Sequence, residues 1–126
     1  RQVCIRVSSK GEGLPEGWTP AATYFCIDCG EILGVIRVRH GTTDYIHDVI
    51  GHIGYETVPQ ARGRGVGSYM LSWIQHHALR ESVIITCESG NIASKKVIEK
   101  CGGQSLSTFY SEQDRQEVLR YQLDPK

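Results

Sequence analysis

The sequence predicts an α/β (α+β) fold in which a mixed, mostly antiparallel sheet is flanked by helices. Runs of β-branched and aromatic residues alternate with Gly and Pro turns, and two segments with helical periodicity lie between the later strands. Strands mixed with helices, some joined as β-α-β units, are typical of such a sandwich. Because 126 residues with 40% hydrophobic residues are enough for one core, we expect a single domain over residues 1–126.

The first half of the chain contains strand patterns separated by polar turns. Residues 1–20 are rich in Gly, Pro and Ser, which predicts an irregular N-terminal segment. Gly51 and Gly54 interrupt the last strand pattern, and such glycines often mark a bulge or a close approach to the backbone. The predicted strands are Val3–Val7, Ala22–Asp28, Ile32–Val38 and Val49–Val58, with a polar turn at His40–Asp48 before the last of them.

The second half of the chain contains two helix patterns. Apolar residues recur with i, i+4 spacing from Val66 to Ala78, and Asn91–Cys101 predicts a second helix that Gly102-Gly103 ends. The predicted apolar side of the second helix consists of Ile92, Val97 and Ile98. The predicted strands of this half are Val83–Cys87, Leu106–Tyr110 and Val118–Leu123, the last two as an antiparallel pair.

Composition argues against several classes of protein. Basic and acidic residues number 14 each, so there is no basic excess of the kind that nucleic-acid-binding proteins show. No apolar run approaches the ~18 residues that a membrane span needs, and no signal peptide is visible. The five cysteines, an odd number, fit reduced thiols better than a disulfide framework. We therefore expect a cytoplasmic protein without nucleic-acid or membrane partners.

A glycine-rich loop with two arginines joins the long strand to the first helix. At such a junction, backbone N–H groups and the positive end of the helix dipole face an anion. Gly63, Gly65 and Gly67 allow close approach of the backbone to phosphate oxygens, and Arg62 and Arg64 add positive charge. The loop lacks the Gly-Lys-Ser/Thr of a P-loop and the spacing of a dinucleotide fingerprint. It favours a phosphate or pyrophosphate site, the alternative being a flexible basic turn.

The motif Arg62-x-x-Gly65-x-Gly67 resembles the R/Q-x-x-G-x-G/A signature of the GNAT N-acetyltransferases. Other blocks, in the same order along the chain, resemble one bacterial subgroup of that family. The resemblance covers about residues 10–125. Its blocks are Leu14–Trp18, Gly34–Arg37, Gly51–Tyr55, Ile85–Cys87, a helix start with Asn91 and Ser94, and Val97–Gly103.

The resemblance implies transfer of an acetyl group from acetyl-CoA to an amine of a small molecule or peptide. It implies that acetyl-CoA lies in a V between splayed parallel strands, 50–58 and 83–88, and that the Thr57 and Val58 backbone pairs with the pantetheine. Asn91 and Ser94 would approach the pantetheine arm. The residues implied to cradle the pyrophosphate are Arg62, Gly63, Arg64, Gly65, Val66, Gly67 and Ser68.

Two departures from the family pattern bear on catalysis. Aligning Asn91 with the family's Asn places Ile98 where many members carry a Tyr that protonates the leaving CoA thiolate. The chain also shows no counterpart, before Leu14–Trp18, of the first strand and two helices that build much of the family's acceptor site. The alternative to an enzyme is therefore a truncated, non-catalytic module that holds CoA or only keeps the fold. A phosphate-binding domain outside the family fits the loop but not the other blocks.

Candidate catalytic residues are His52 and Glu56, because a base or a water relay must take a proton from the attacking amine. On a regular strand they share one face with Gly54, although a bulge at Gly54 would break that register. The alternative is an exposed polar strand face. We expect no metal site: the pair Cys26-x-x-Cys29 lacks a second ligand pair, since adjacent helical histidines, His76 and His77, point about 100° apart.

Without the early strand and helices, one face or edge of the sheet is expected to carry apolar surface. We therefore expect a homodimer, with Tyr24–Ile27 or Ile32–Val38 near the contact, or the pair Leu106–Tyr110 and Val118–Leu123 instead. The alternative is a monomer in which Arg1–Pro20 folds back over the exposed side.

Overall fold

The computed structural model describes residues 21–126 and, as backbone only, residues 2–8. The block Leu14–Trp18 lies outside these residues. Of the segment Arg1–Pro20, expected to be irregular or to fold back, Gln2–Ser8 instead forms a strand that pairs with Ala22–Asp28, and the rest lies outside the described residues. Two α-helices are described, α1 (Val66–His77) and α2 (Ile92–Lys100), with a π-helix at Ile46–Ile50 and a 3₁₀ turn at Pro59–Ala61. The described strands are β1 (Gln2–Ser8), β2 (Ala21–Asp28), β3 (Glu31–Arg39), β4 (Ile53–Thr57), β5 (Val83–Glu88), β6 (Gln104–Ser105), β7 (Phe109–Ser111) and β8 (Gln116–Leu123).

These strands form one mixed sheet in the order β1-β2-β3-β4-β5-β8-β6, and β7 pairs with β8 as well. Every neighbouring pair among them is antiparallel except β4 and β5, which run parallel. The predicted fold class is thus confirmed: a mostly antiparallel sheet with one parallel pair and flanking helices. β4 reaches β5 through α1, so the parallel pair is the β-α-β unit of the fold.

The core lies between the sheet and α1, with α2 beside it. In β2 the buried side chains alternate, which directs Ala22, Tyr24 and Cys26 toward α1. The Tyr24 and Trp73 rings lie 5.3 Å apart across this interface. Close approach of α1 depends on Gly34 of β3, because a Cβ there would lie 2.9 Å from the Met70 side chain.

Three sequence-based expectations are wrong in detail. The predicted strand Val49–Val58 begins only at Ile53, because Ile46–Ile50 forms the π-helix and Gly51, at φ 71°, turns the chain into β4. Ile92 is 55% exposed, since it is the first residue of α2 and lies beyond the core. Of the predicted strand Leu106–Tyr110, only Phe109 and Tyr110 lie in a strand, β7, whereas β6 ends before it at Ser105; both short strands pair with β8.

Candidate functional site

The parallel strands β4 and β5 meet at one residue pair and then separate. Ile53 lies opposite Ile85, and just before that pair the His52 N–H donates to the Ile84 carbonyl at 2.7 Å. Beyond Ile53, β4 has no partner on its β5 side within the described chain, although β3 stays paired with it as far as Thr57. The two strands therefore enclose a V that opens toward their carboxyl ends.

Backbone alternation decides which groups of β4 face the V. The His52 carbonyl accepts from β3 at 2.6 Å and the Val58 N–H donates to β3 at 2.9 Å, so even-numbered residues bond to β3. The N–H and C=O groups of Tyr55 and Thr57 consequently point toward the V. The Val58 carbonyl accepts from the Ala61 N–H at 3.0 Å, so both backbone groups of Val58 have partners within the chain.

The loop that follows β4 presents backbone N–H groups to solvent. Gly63 and Gly65 have φ angles of 79° and 78°, and a Cβ at either would meet nothing within 4 Å. No N–H group from Gly63 to Ser68 donates to a backbone acceptor of the described chain, and α1 begins immediately behind the loop, at Val66. The neighbouring Arg62 and Arg64 side chains are exposed. These features together make an anion-binding arrangement.

Gly67, the third glycine of the loop, has a packing role. A Cβ there would lie 3.3 Å from the Tyr55 ring and 3.8 Å from Val97, so the missing side chain lets α1 approach both β4 and α2. The Tyr55 hydroxyl forms a 2.8 Å hydrogen bond with the Ser94 hydroxyl. Burial raises the pKa of Tyr55, and the hydrogen bond with Ser94 opposes that shift. A protonated phenol therefore lies on the helix side of the V.

Asn91 caps α2 at the mouth of the V. Its side-chain oxygen accepts from the Ser94 N–H at 3.1 Å, a geometry that fixes the first turn of the helix beside β5. Asn91 and Ser94 both line the cleft that occupies the V. The sequence prediction of these two residues beside the V therefore agrees in position with the structure.

The cleft has a volume of about 650 Å³ and is lined from both faces of the sheet. Tyr55 and Cys87 lie on the face that carries the helices, whereas Gly54 and Thr86 alternate to the other face. Burial raises the pKa of the Cys87 thiol. The remaining lining residues are Arg39, Tyr45, Val49, Ile50, Ile53, Glu88, Asn91, Ser94, Asp114, Gln116 and Val118.

The π-helix Ile46–Ile50 forms one wall of the cleft, on the face opposite α1 and α2. The Thr86 hydroxyl and the guanidinium groups of Arg39 and Arg120 each donate to a carbonyl of this wall or of Gly51, which follows it. Arg120 of β8 is buried, and its hydrogen bond to His47 holds the π-helix against β8. The accepting carbonyls, at 2.8, 3.1 and 3.1 Å, belong to Val49, Gly51 and His47 respectively.

Arg39 projects into the cleft over the backbone of β4. A Cβ at Gly54 would lie 3.5 Å from both terminal nitrogens of its guanidinium. Burial and then the nearby Arg37 charge lower the pKa of Arg39. Within residues 21–126, no carboxylate lies within 4.0 Å of this guanidinium, and only one of its N–H donors has an acceptor, the Gly51 carbonyl.

Two carboxylates lie in the same cleft, at Glu88 and Asp114. The Gln116 amide, oriented with its nitrogen toward Glu88, donates to that carboxylate at 2.8 and 3.1 Å. The Ser111 hydroxyl donates to Asp114 at 3.1 Å. Sequence reasoning missed both acids. Glu88 carried one signal, since it ends a strand whose carboxyl end faces a cleft, but nothing near Asp114 in the sequence marked it.

His52 has both ring nitrogens engaged outside the cleft. Its Nδ1 accepts from the Ile84 N–H at 3.0 Å, and its Nε2 lies 2.7 Å from the Thr42 hydroxyl oxygen. An Nδ1 that accepts a backbone N–H carries no proton, so the ring is neutral. Burial lowers the pKa of His52, and the nearby His47 adds to that effect. The side chain thus joins the start of β4 to β5.

The structure does not bring His52 and Glu56 together at the V. Glu56 shares the face of Gly54, as the pairs Val35–Glu56 and Arg37–Gly54 show, but it is exposed near the end of β4. Neither residue of the predicted catalytic pair lines the cleft in the described part of the protein.

The described residues contain no group of three or more side chains that could hold a metal ion. Cys26 is buried in the sheet, whereas Cys29 is exposed in the turn between β2 and β3. None of the described helices is long and apolar enough to cross a membrane.

Solved structures of acetyltransferases resemble this chain over most of its length. A ribosomal-protein-S5-alanine acetyltransferase from Vibrio fischeri matches with a TM-score of 0.65 and 16% identity, covering 84% of this chain and 62% of its own. A ribosomal L7/L12 alpha-N-protein acetyltransferase in complex with coenzyme A matches with a TM-score of 0.64 and 18% identity, covering 83% and 62%. A chimera of the Vibrio cholerae spermidine N-acetyltransferase and hSSAT matches with 0.64 and 14%, covering 82% and 66%.

These likenesses establish the fold, and the chain spans about two thirds of the length of the structures it matches. No curated protein matches the sequence. The model of one family, described as the acetyltransferase (GNAT) domain, matches residues 9–104, well over half of the chain. The chain therefore belongs to the GNAT acetyltransferase family.

Proposed function

We propose that this protein transfers an acetyl group from acetyl-CoA to an amine. The observation that carries the proposal is the V between β4 and β5, whose open backbone edge leads to the free N–H groups in front of α1. An acyl-pantetheine arm needs an extended hydrogen-bonding edge, and a pyrophosphate needs clustered N–H donors. Both requirements are met in succession along residues 55–68.

In this proposal the pantetheine pairs with the outward backbone groups of Tyr55 and Thr57. Val58 contributes packing rather than pairing, because its backbone groups are used within the chain. Asn91 and Ser94 border the arm from α2. The pyrophosphate lies on the loop Arg62, Gly63, Arg64, Gly65, Val66, Gly67 and Ser68.

The proposed chemistry is direct attack in a ternary complex. The lone pair of a neutral amine forms a bond to the thioester carbonyl carbon, the C–S bond breaks, and the CoA thiolate takes a proton. Ile98 cannot supply that proton, since it is a fully buried aliphatic side chain. The Tyr55 hydroxyl, held at 2.8 Å by Ser94, is a protonated group that lines the V and takes this role.

The proton lost by the amine needs an acceptor. Glu88 and Asp114 line the cleft, and a carboxylate is a suitable acceptor for it, directly or through water. Of the pair proposed from the sequence, His52 positions β4 against β5, because both of its ring nitrogens already have partners. Glu56 could serve only through water, from outside the cleft.

A second candidate function is a CoA-binding module without turnover. The observation that favours it is the fully buried aliphatic side chain of Ile98, at the position where the resemblance implies an acid. The two candidates share the donor site, so they differ in amine-dependent release of CoA thiol and not in CoA binding.

Isothermal calorimetry with acetyl-CoA tests the donor site on the variant Gly65→Asn. Asn tolerates the left-handed φ of Gly65, and its side chain meets open space in the free protein but would enter the volume of a bound pyrophosphate. We expect at least a tenfold loss of affinity, about 1.4 kcal/mol. The matched control is Gly102→Asn, at φ 87° and with equally open space, which should bind acetyl-CoA like the wild type.

Equal acetyl-CoA affinity in both variants and the wild type would refute the loop assignment. A thiol-release assay with a panel of amines then separates the two candidate functions. Release above the rate of hydrolysis supports the enzyme, and its absence with every amine supports the binding module.

We also propose that the protein acts in the cytoplasm as a homodimer. Strands β2 and β3 are paired along both edges in the described sheet, so edge contacts through Tyr24–Ile27 or Ile32–Val38 are not open to a second copy. The C-terminal candidate offers exposed aromatic side chains instead, Phe109 and Tyr110 of β7. Light scattering at several concentrations distinguishes this dimer from a monomer.

A further inference from the structure

The cleft holds charges of both signs that do not neutralise one another. Arg39 lies over Gly54, and the carboxylates of Glu88 and Asp114 line the same space. No pair among these three residues comes within 4.0 Å. A cleft with separated, opposite charges recognises a ligand that carries both charges itself, because each pairing replaces water lost on binding.

Arg39 is the more selective of these groups. Its side chain is partly buried and lies near a second cation, Arg37, and both effects lower the pKa of Arg39. It donates to one backbone carbonyl, that of Gly51, which leaves an N–H edge available to a ligand. A guanidinium binds a carboxylate through two parallel hydrogen bonds, which a single amide oxygen cannot reproduce.

The carboxylates differ from Arg39 in having neutral partners. Glu88 accepts from the Gln116 amide and Asp114 accepts from the Ser111 hydroxyl. Neither carboxylate is paired with a cation within the described residues. They are therefore suited to receive the ammonium form of an acceptor and to take its proton before attack.

We propose that the acceptor is a small amino-carboxylate, such as a free amino acid, whose carboxylate pairs with Arg39 while its amine lies toward Glu88 or Asp114. This inference rests on the proposed acetyltransferase function and names its substrate class. A compact substrate fits because the cleft of about 650 Å³ must also hold the end of the acyl-pantetheine arm.

The reaction balances with the groups present. The ammonium gives one proton to a cleft carboxylate, and the amine then forms the N–C bond as the C–S bond breaks. The cleft carboxylate releases the ammonium proton to solvent and then takes the second proton, which the nitrogen loses as the amide forms. The thiolate takes the Tyr55 proton, and the Tyr55 phenolate recovers a proton from the carboxylate through water. The products are an N-acetyl amino acid, whose carboxylate stays paired with Arg39, and CoA thiol.

Two other classes of amine fit the cleft less well. A polyamine brings two or more positive charges and no anion, so one of its charges would lie near the Arg39 guanidinium. An amino group followed by a neutral amide offers a single carbonyl oxygen where a carboxylate offers two charged oxygens. Free amino acids, amino acid amides and polyamines should therefore react at different rates.

The experiment compares free L-amino acids with the corresponding amino acid amides and with spermidine, measuring kcat/KM for thiol release from acetyl-CoA. With wild-type protein we expect the free acids to exceed their amides by about tenfold or more, from the bidentate charge-assisted contact. Spermidine should be slower than the preferred acid. Equal rates for acids and amides, or a preference for spermidine, would overturn the inference.

Variants connect the preference to Arg39. In Arg39→Gln the ratio of acid to amide should fall close to one, through loss of activity toward the acids alone. Arg39→Lys keeps the positive charge but not the two parallel N–H donors, and should retain part of the acid-to-amide ratio. It keeps the test valid if Arg39→Gln folds poorly. The control is Arg80→Gln, an exposed arginine after α1 and outside the cleft lining, where the ratio should not change.

Calorimetry with acetyl-CoA on the same samples distinguishes failure of the proposed acetyltransferase function from failure of the proposed substrate class. Failure of the wild type to bind acetyl-CoA removes the proposed function and this inference with it. Binding of acetyl-CoA without transfer to any amino acid overturns the inference alone, as does an acid-to-amide ratio that Arg39→Gln leaves unchanged.

Discussion

The two sides of the V are built from different kinds of sequence. On the helix side, one continuous segment supplies the backbone edge of Tyr55 and Thr57 and then the loop before α1. On the opposite side, the cleft wall is assembled from β3, the π-helix, β5 and the hairpin that carries Asp114. The first side is a local motif and the second exists only in the folded sheet. The contrast teaches that one side of the V is built from residues adjacent in the chain, whereas the other is built from residues that only the sheet brings together.

Gly51 lies between the π-helix wall and β4, and its replacement should lower the stability of the protein more than any other change proposed below. A Cβ at this position would lie 2.9 Å from the Ile84 carbonyl oxygen and 3.2 Å from two further backbone atoms of β5, at a φ of 71°. Since backbone cannot move aside as a flexible side chain can, we expect Gly51→Ala to lower the free energy of unfolding by about 2–4 kcal/mol. Chemical denaturation measures this.

The control for that change is Gly90→Ala, which meets open space at an ordinary φ and should stay within about 0.5 kcal/mol of the wild type. The same pair sharpens the comparison between the two sides of the V. Where Gly51→Ala is still folded, it should raise the KM of the amine and leave acetyl-CoA affinity nearly unchanged. An equal loss of amine binding and of acetyl-CoA affinity would mean that the two sides of the V are not independent.

The next effect concerns the acid on the helix side. We expect Tyr55→Phe to lower kcat about 100-fold at nearly constant affinity for acetyl-CoA, because the proton for the leaving thiolate is lost while the ring packed on Gly67 remains. Ser94→Ala should have a smaller effect, since it removes a partner of the phenol and not the phenol. Unchanged kcat in Tyr55→Phe would remove Tyr55 from the mechanism.

The smallest expected effect is a pH dependence of stability from His52. The pKa of this histidine is lowered in the folded protein, so the unfolded chain binds more protons between the folded and the unfolded values. Its contribution is therefore fully present above the unfolded pKa of about 6.5 and is lost as the pH falls through the folded value. Unfolding measured from pH 8 to 5 should show a shallower decline in His52→Gln.

His76→Gln, an exposed position on α1 outside the V, serves as the control for that series. If the decline in stability were the same in His52→Gln, His76→Gln and the wild type, His52 would not be the group responsible. Protonation of the His52 ring, which is hydrogen-bonded to Ile84 and Thr42, would then not change the free energy of unfolding.

Much of the fold follows from local patterns. The turn at Cys29-Gly30, the i, i+4 spacing of α1 and the glycines after α2 are local signals, and the structure has elements where these signals place them. The π-helix escaped prediction because its first three residues lie in the predicted polar turn His40–Asp48 and the last two, Val49 and Ile50, are β-branched like strand residues. Its conformation depends on the Gly51 turn and on donors from distant residues, Arg120 among them.

The candidate site likewise contains some residues that local patterns predict and others that only distant contacts bring there. The loop glycines and the cap Asn91 are recognisable because helix termini and left-handed φ angles impose residue types at fixed spacing. The role of Gly67 in cradling the pyrophosphate stays a prediction, whereas its contact with the Tyr55 ring is a steric feature that no spacing rule contains. His52 and Glu56 were chosen for chemistry and register, and register alone did not bring them to the cleft.

The sequence by itself determined the family and the loop before α1, because the loop and each block of the family resemblance are short runs of residues close together in the chain. The tertiary structure alone decided the point at which β4 and β5 part, after Ile53, and that Arg39, Glu88 and Asp114 share one cleft. The physical reason is that these three charges come from separate strands and a hairpin, so their proximity is a property of sheet order and of the π-helix wall.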